Sequence, residues 1–189
     1  MDYALIWYML IAIAVFAYVA LDGFDLGIGI LFIAGDSTKE RDLMMNSIAP
    51  VWDGNETWLV LGGGGLFAVF PLAYAVVMPA LYAPLIMMLL GLIFRGVAFE
   101  YRFRTRRGQF LWDSSFFIGS LMATFTQGMM LGTLLQGIEV ADRQYSGGWF
   151  DWFTPFSVFC GLVTIAAYCL LGACWLLIKL PKPYQSRYY

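Results

Sequence analysis

Histidine is absent from all 189 residues. With it goes the usual axial ligand of a b-type haem and a common ligand of zinc and copper, so this chain by itself offers no imidazole-based redox or metal centre. Charge is scarce as well. Asp, Glu, Lys and Arg make up 13% of the chain, against roughly a quarter in an average soluble domain. Cysteine occurs three times, as Cys160, Cys169 and Cys174, all in the last apolar stretch and without metal-type spacing, which fits small buried apolar residues. The glycine run Gly62-Gly63-Gly64-Gly65 lacks the Gly-x-x-x-x-Gly-Lys-Ser/Thr form of a phosphate loop. A formal charge of −2 gives no basic footprint for nucleic acid. No internal repeat, low-complexity linker or soluble domain is visible.

Apolar residues, in contrast, make up 61% of the chain, and its mean hydropathy is +0.73. Spanning a bilayer takes about 20 consecutive, mostly apolar residues. Five runs qualify, at about 4–30, 47–70, 74–99, 114–137 and 155–178. They are continuously apolar, whereas lipid-facing barrel strands would alternate, so they are predicted to be helices. The first run lacks a basic leader and a small-residue cleavage site, which predicts a span rather than a signal peptide. The expectation is an all-α integral membrane protein, one membrane domain over 1–189, with about five transmembrane helices and the first four as a four-helix bundle. Asn46-Ser47 is expected to cap the second helix, with Pro50 tolerated in its first turn. The glycine run in that helix permits very close approach of either a neighbouring helix or a cofactor.

Basic residues fall mainly on one side of these spans. Lys39, Arg41, Arg102, Arg104, Arg106, Arg107, Lys179, Lys182 and Arg187 share it, whereas the 138–154 loop opposite contains only Arg143. The positive-inside rule then predicts an outer N-terminus and a cytoplasmic tail. Trp149, Trp152 and Tyr145 suit an outer interfacial belt. Segment 34–47 is expected to be a solvated loop.

Ionisable groups inside spans cost roughly 2.5–3.5 kcal/mol each on insertion scales, so they normally face a bundle interior or a hydrated path. Asp22 and Asp25 in the first span share a helical face by their three-residue spacing, and Asp53 and Glu56 in the second repeat it. Arg95 and Glu100 lie late in the third. Alternating helix directions bring Asp22, Asp25, Asp53, Glu56 and Arg95 to similar depth near one end. A hydrated relay follows, with Arg95 as a counter-charge keeping at least one carboxylate ionised. The competing reading is that these carboxylates cap helices, sit at the interface or pair structurally. Ten methionines scattered through the spans fit core filling better than ligation.

Three blocks carry a resemblance: Asp22-Gly-Phe-Asp25-Leu-Gly-Ile-Gly, Asn46 to Leu59 with Trp52-Asp53-Gly-Asn-Glu56 at its centre, and Phe94-Arg95-Gly-Val-Ala-Phe99-Glu100-Tyr101-Arg102. In this order, with Leu134-Leu135-Gln136-Gly137 closing the fourth span, they resemble the N-terminal half of subunit II of bd-type quinol oxidases. The resemblance implies an oxidoreductase complex that oxidises quinol and reduces dioxygen to water. It also implies a haem-free subunit in a prokaryotic cytoplasmic membrane, with haem b and haem d in subunit I. Further implied partners are a small accessory subunit, membrane lipid and quinone. Asp53 beside Trp52, and Asp25, match the family's proton-path acids; Asp22, Glu56 and Arg95 lie in matching blocks. The family's subunit II has eight helices in two four-helix halves, so the fifth helix here is expected to lack a bundle of its own. A truncated product, one piece of a split subunit and a variant completed by association all fit that length.

Two readings from other classes stand beside the oxidase. A proton-coupled transporter would use the same carboxylates to bind a driving ion. A purely structural assembly subunit would use them only in packing.

Overall fold

A computed structural model describes residues 2–105, 107–185 and 188, so Arg106 and Arg187 lie outside the described residues. The protein is an all-α membrane protein. Helix α1 spans Tyr3–Leu31, α2 Thr38–Ile48, α3 Trp52–Val69, α4 Pro71–Ala80, α5 Tyr82–Tyr101, α6 Gln109–Gln136, α7 Pro155–Lys179 and α8 Lys182–Gln185. Between α6 and α7 a small hairpin pairs Val140 with Tyr145 and Ala141 with Gln144. Helices α1, α5, α6 and α7 are long and apolar enough to cross a membrane. α3 falls in the expected span 47–70, but its first turns are polar and its middle is glycine.

Local chemistry explains three departures from the expected elements. Segment 38–48 is a helix rather than a solvated loop: the Ser37 hydroxyl accepts from the Glu40 N–H, and Met44, Met45 and Ile48 are buried. Asn46 and Ser47 therefore end α2 instead of capping α3. Residues 49–51 then form a turn containing Pro50, which has no N–H to continue the helical ladder. Where one helix is expected over 74–99, the chain forms α4 and α5, broken at Leu81. Pro84 cannot donate to the carbonyl of Ala80, so the helix restarts with Pro84 in the first turn, where that donor is not needed.

The fifth long helix is not left without partners. α7 packs along both α1 and α6, while α3 lies on α1 and α5 on α6. The close α1–α7 approach depends on two glycines: a methyl group at Gly27 would collide with the Tyr168 carbonyl, and one at Gly172 would meet the Gly27 backbone at 2.6 Å. Gly62 and Gly65 of the glycine run face Val15 and Ile11 of α1, whereas Gly63 and Gly64 have open space beside them. Packing thus accounts for half of that run.

Two apolar clusters fill the interior. One gathers the last turns of α1, α5 and α7 with α2 and the start of α6 through Ile28, Phe32, Met45, Ile48, Phe99, Phe116 and Leu176. The tail joins it: Tyr188 is buried and its hydroxyl is bonded to Glu40 at 3.2 Å. The other, around Leu26, Met88, Leu92, Ala123 and Tyr168, lies deeper in the bundle. Outward-facing side chains are apolar along the long helices, with Phe16 73% and Ile178 76% exposed, as a lipid-facing surface requires.

Candidate functional site

Helix periodicity puts Asp22 and Asp25 on the inward face of α1, where both are fully buried. Opposite them, α5 delivers Arg95, also fully buried. Its guanidinium donates to Asp22 Oδ1 at 3.1 Å and to Glu56 Oε1 of α3 at 2.5 Å, and a further guanidinium nitrogen lies 3.8 Å from Asp25 Oδ2. Three carboxylates from two helices thus converge on one arginine from a third. The rings of Trp52 and Phe99 stack on each other at 4.7 Å, and the guanidinium carbon lies 5.9 and 5.8 Å from their centroids. This aromatic wall keeps water from that side of the charge.

Of the six residues singled out from sequence, the fold brings together Asp22, Asp25, Glu56 and Arg95, with Trp52 as the wall. Asp53 does not join them. It is exposed on the outward side of α3, because α3 turns Asn55 and one edge of Glu56 towards α1. The three-residue spacing placed Asp53 and Glu56 on neighbouring positions, but only the longer glutamate reaches inward. Glu100 is exposed and pairs with Arg104 one turn later at 3.4 Å.

Sequence reasoning missed several polar residues of this site. Asn55 donates to Asp25 Oδ2 at 2.7 Å and to the Leu21 carbonyl at 3.3 Å. Tyr18, one turn before Asp22, lies beside that carboxylate. Gln127 of α6 donates to the Tyr18 hydroxyl at 2.7 Å and accepts from Tyr168 of α7 at 2.9 Å, extending the polar chain across three helices. A lone amide in an apolar helix was the available signal for Gln127. Among the described residues, Asp22 Oδ2, Asp25 Oδ1 and Arg95 Nε have no hydrogen-bond partner.

A second ion cluster lies seven residues on from Arg95, just past the end of α5. Arg102, fully buried, bonds Asp42 of α2 and Asp113 of α6, and Arg41 donates to Asp113 at 3.1 Å and to the Gly35 carbonyl at 3.1 Å. Arg41 and Arg102, grouped by sequence among loop charges, therefore tie α2, α5 and α6 together.

The cluster offers a haem no imidazole. A haem iron takes an axial histidine, cysteine, methionine or tyrosine. The chain has no histidine, Tyr18 and Tyr168 nearest the cluster are bonded to Gln127, and no group of three or more cysteine or acidic side chains placed to hold a metal ion occurs among the described residues.

The family model described as cytochrome bd terminal oxidase subunit II matches residues 3–189. The chain belongs to that family. It is 37% identical over 182 residues to the cytochrome bd-I ubiquinol oxidase subunit 2 of Escherichia coli strain K12, covering 92% of this chain and 48% of that protein. Identity is 36% over 168 residues to the cytochrome bd ubiquinol oxidase subunit 2 of Bacillus subtilis, covering 87% and 49%. It is 34% over 190 residues to a probable cytochrome oxidase subunit 2 of Haemophilus influenzae, covering 96% and 50%. The chain spans about half the length of these relatives. Within the bd oxidase subunit II family, the matched region contains both ion clusters.

Proposed function

We propose that this chain works as the haem-free part of a bd-type quinol oxidase and carries protons to a haem-bearing subunit I. The observation that carries the proposal is the buried meeting of Asp22, Asp25 and Glu56 on Arg95. One guanidinium against three carboxylates is more acid than a static pair needs. Protons shared among the carboxylates bring the cluster to neutrality, and shared protons are what a relay moves. Glu56 supports a connection to the outside, since its side chain keeps 23% exposure while Asp22 and Asp25 are sealed. Asp53, exposed one turn away, stands where water or a partner subunit would meet Glu56.

In this reading the basic loops face the cytoplasm and the carboxylates take protons from that side. Structure supports the grouping of these charges at one end: the last turns of α1, α5 and α7 share a cluster with α2 and the start of α6. Haem b, haem d and quinol oxidation are assigned in this reading to the partner.

The test is co-expression with the neighbouring haem-bearing subunit, followed by haem difference spectra and quinol-dependent oxygen uptake. Asp22→Asn, Asp25→Asn and Glu56→Gln are expected to retain the haem bands and lose about 100- to 10,000-fold in turnover, as for removal of a proton-transfer group. Asp53→Asn is expected to lose turnover with assembly intact. Full turnover in all four variants would reduce the cluster to a structural clamp, and full turnover in Asp53→Asn alone would remove that residue from the path.

A further inference from the structure

At the end of the bundle away from the basic loops, the 138–154 segment folds over the start of α5. It encloses a cavity of about 190 Å³ whose walls include Tyr82, Tyr145, Trp149 and Trp152. A second cavity of about 130 Å³ adjoins it across Tyr145 and is lined by Glu139 and Asp151. The rings of Tyr82 and Trp149 stand 6.1 Å apart at 56°, forming an open wedge. Several donors here are already engaged. The Trp152 indole N–H bonds the Trp149 carbonyl at 2.9 Å, the Tyr145 hydroxyl bonds the Gly148 carbonyl at 2.7 Å and Asp151 Oδ2 at 3.0 Å, and the Gly148 N–H bonds Asp151 Oδ2 at 2.6 Å. Aromatic faces remain available in the first cavity, and Asp151 lines the second beside it.

We infer that this pocket holds the ammonium head group of a zwitterionic membrane lipid. Aromatic faces within about 6 Å of a cation attract it through the ring quadrupole, and a neighbouring carboxylate adds a charge-assisted acceptor. The 138–154 segment contains Glu139, Asp142 and Asp151 against the single base Arg143, so it favours a cation. The cavity is smaller than the roughly 300–1,000 Å³ that encloses a drug-sized ligand, which suits a head group whose remainder lies outside. Exposed Phe150 and Phe153 flank it, and α5, α6 and α7 all start or end here, placing the pocket at the lipid–water boundary where acyl chains can extend alongside. It is independent of the proposed oxidase role.

The experiment is native mass spectrometry of the purified chain in detergent, titrated with phosphatidylethanolamine, phosphatidylcholine and phosphatidylglycerol of identical acyl chains. The two ammonium-bearing lipids are expected to bind at about tenfold lower concentration than phosphatidylglycerol, and Trp149→Ala or Tyr82→Ala should remove about three- to tenfold of that preference. Asp151→Asn, which keeps an oxygen for Gly148 and Tyr145, should weaken the preference while thermal unfolding stays unchanged. Equal binding of all three lipids, or a preference untouched by these variants, would overturn the inference. So would competition by free phosphoethanolamine at concentrations equal to the lipid, which would make the ligand a water-soluble amine.

Discussion

Replacing Arg95 with Met is the sharpest perturbation of the buried cluster. The guanidinium contacts Asp22 at 3.1 Å and Asp25 at 3.8 Å, bonds Glu56, and is itself fully buried. Methionine fills much of the volume and keeps contact with Trp52 and Phe99, so the change is chiefly one of charge. Removing one partner of a buried pair costs about 3–5 kcal/mol, because the other charge stays uncompensated. For a chain of this length each kcal/mol moves the midpoint by about 2–4 °C, so unfolding should fall by about 6–20 °C. Near-ultraviolet circular dichroism of the purified protein in detergent would follow it. Arg95→Lys should also fall below the parent, since one ammonium can replace Nη1, which bonds both Asp22 and Glu56, but not Nη2 beside Asp25 as well. Adding Asp22→Asn and Glu56→Gln to Arg95→Met should recover at least half of the loss, the positive coupling expected of residues in contact. A midpoint for Arg95→Met within about 2 °C of the parent, with no coupling to Asp22 or Glu56, would refute the assignment of Arg95 as the counter-charge.

Further outcomes follow from packing and from the second ion cluster. Arg102→Met should destabilise by about 2–4 kcal/mol, less than Arg95→Met because water reaches its partners. Asp42 and Asp113 are 39% and 13% exposed, so Asp113→Ala should cost more than Asp42→Ala in the same thermal assay. Gly27→Ala should cost about 3 kcal/mol or more by forcing α1 from α7, whereas Gly64→Ala, with nothing within 4 Å, should leave the midpoint unchanged or slightly higher.

The site residues Asp22, Asp25, Glu56 and Arg95 were visible as charges inside apolar runs, and that visibility has a physical basis: hydrocarbon penalises each charge, so any charge retained there stands out. Asp53 looked equivalent to Glu56 from its spacing. What separates them is which edge of α3 meets α1 and how far each side chain reaches, and neither quantity exists before the helices pack. Asn55 and Gln127 escaped notice because a neutral amide is a weaker signal than a charge. Arg41, Arg102 and Asp113 were hidden differently. A charge at a helix end can lie in water or fold inward, and sequence position is the same in both cases.

By itself the sequence determined that the chain lies in a membrane as helices, because the backbone must satisfy its own hydrogen bonds in lipid and the apolar runs are long enough to cross it. It also held the family blocks and the face shared by Asp22 and Asp25, since helical periodicity is local. The tertiary structure alone decided that α7 lies in contact with α1 and α6, that Arg95 gathers carboxylates from two helices, and that Asp53 turns outward. These are consequences of which backbones can approach closely, as at Gly27 and Gly172, and of side-chain reach between elements far apart in the chain.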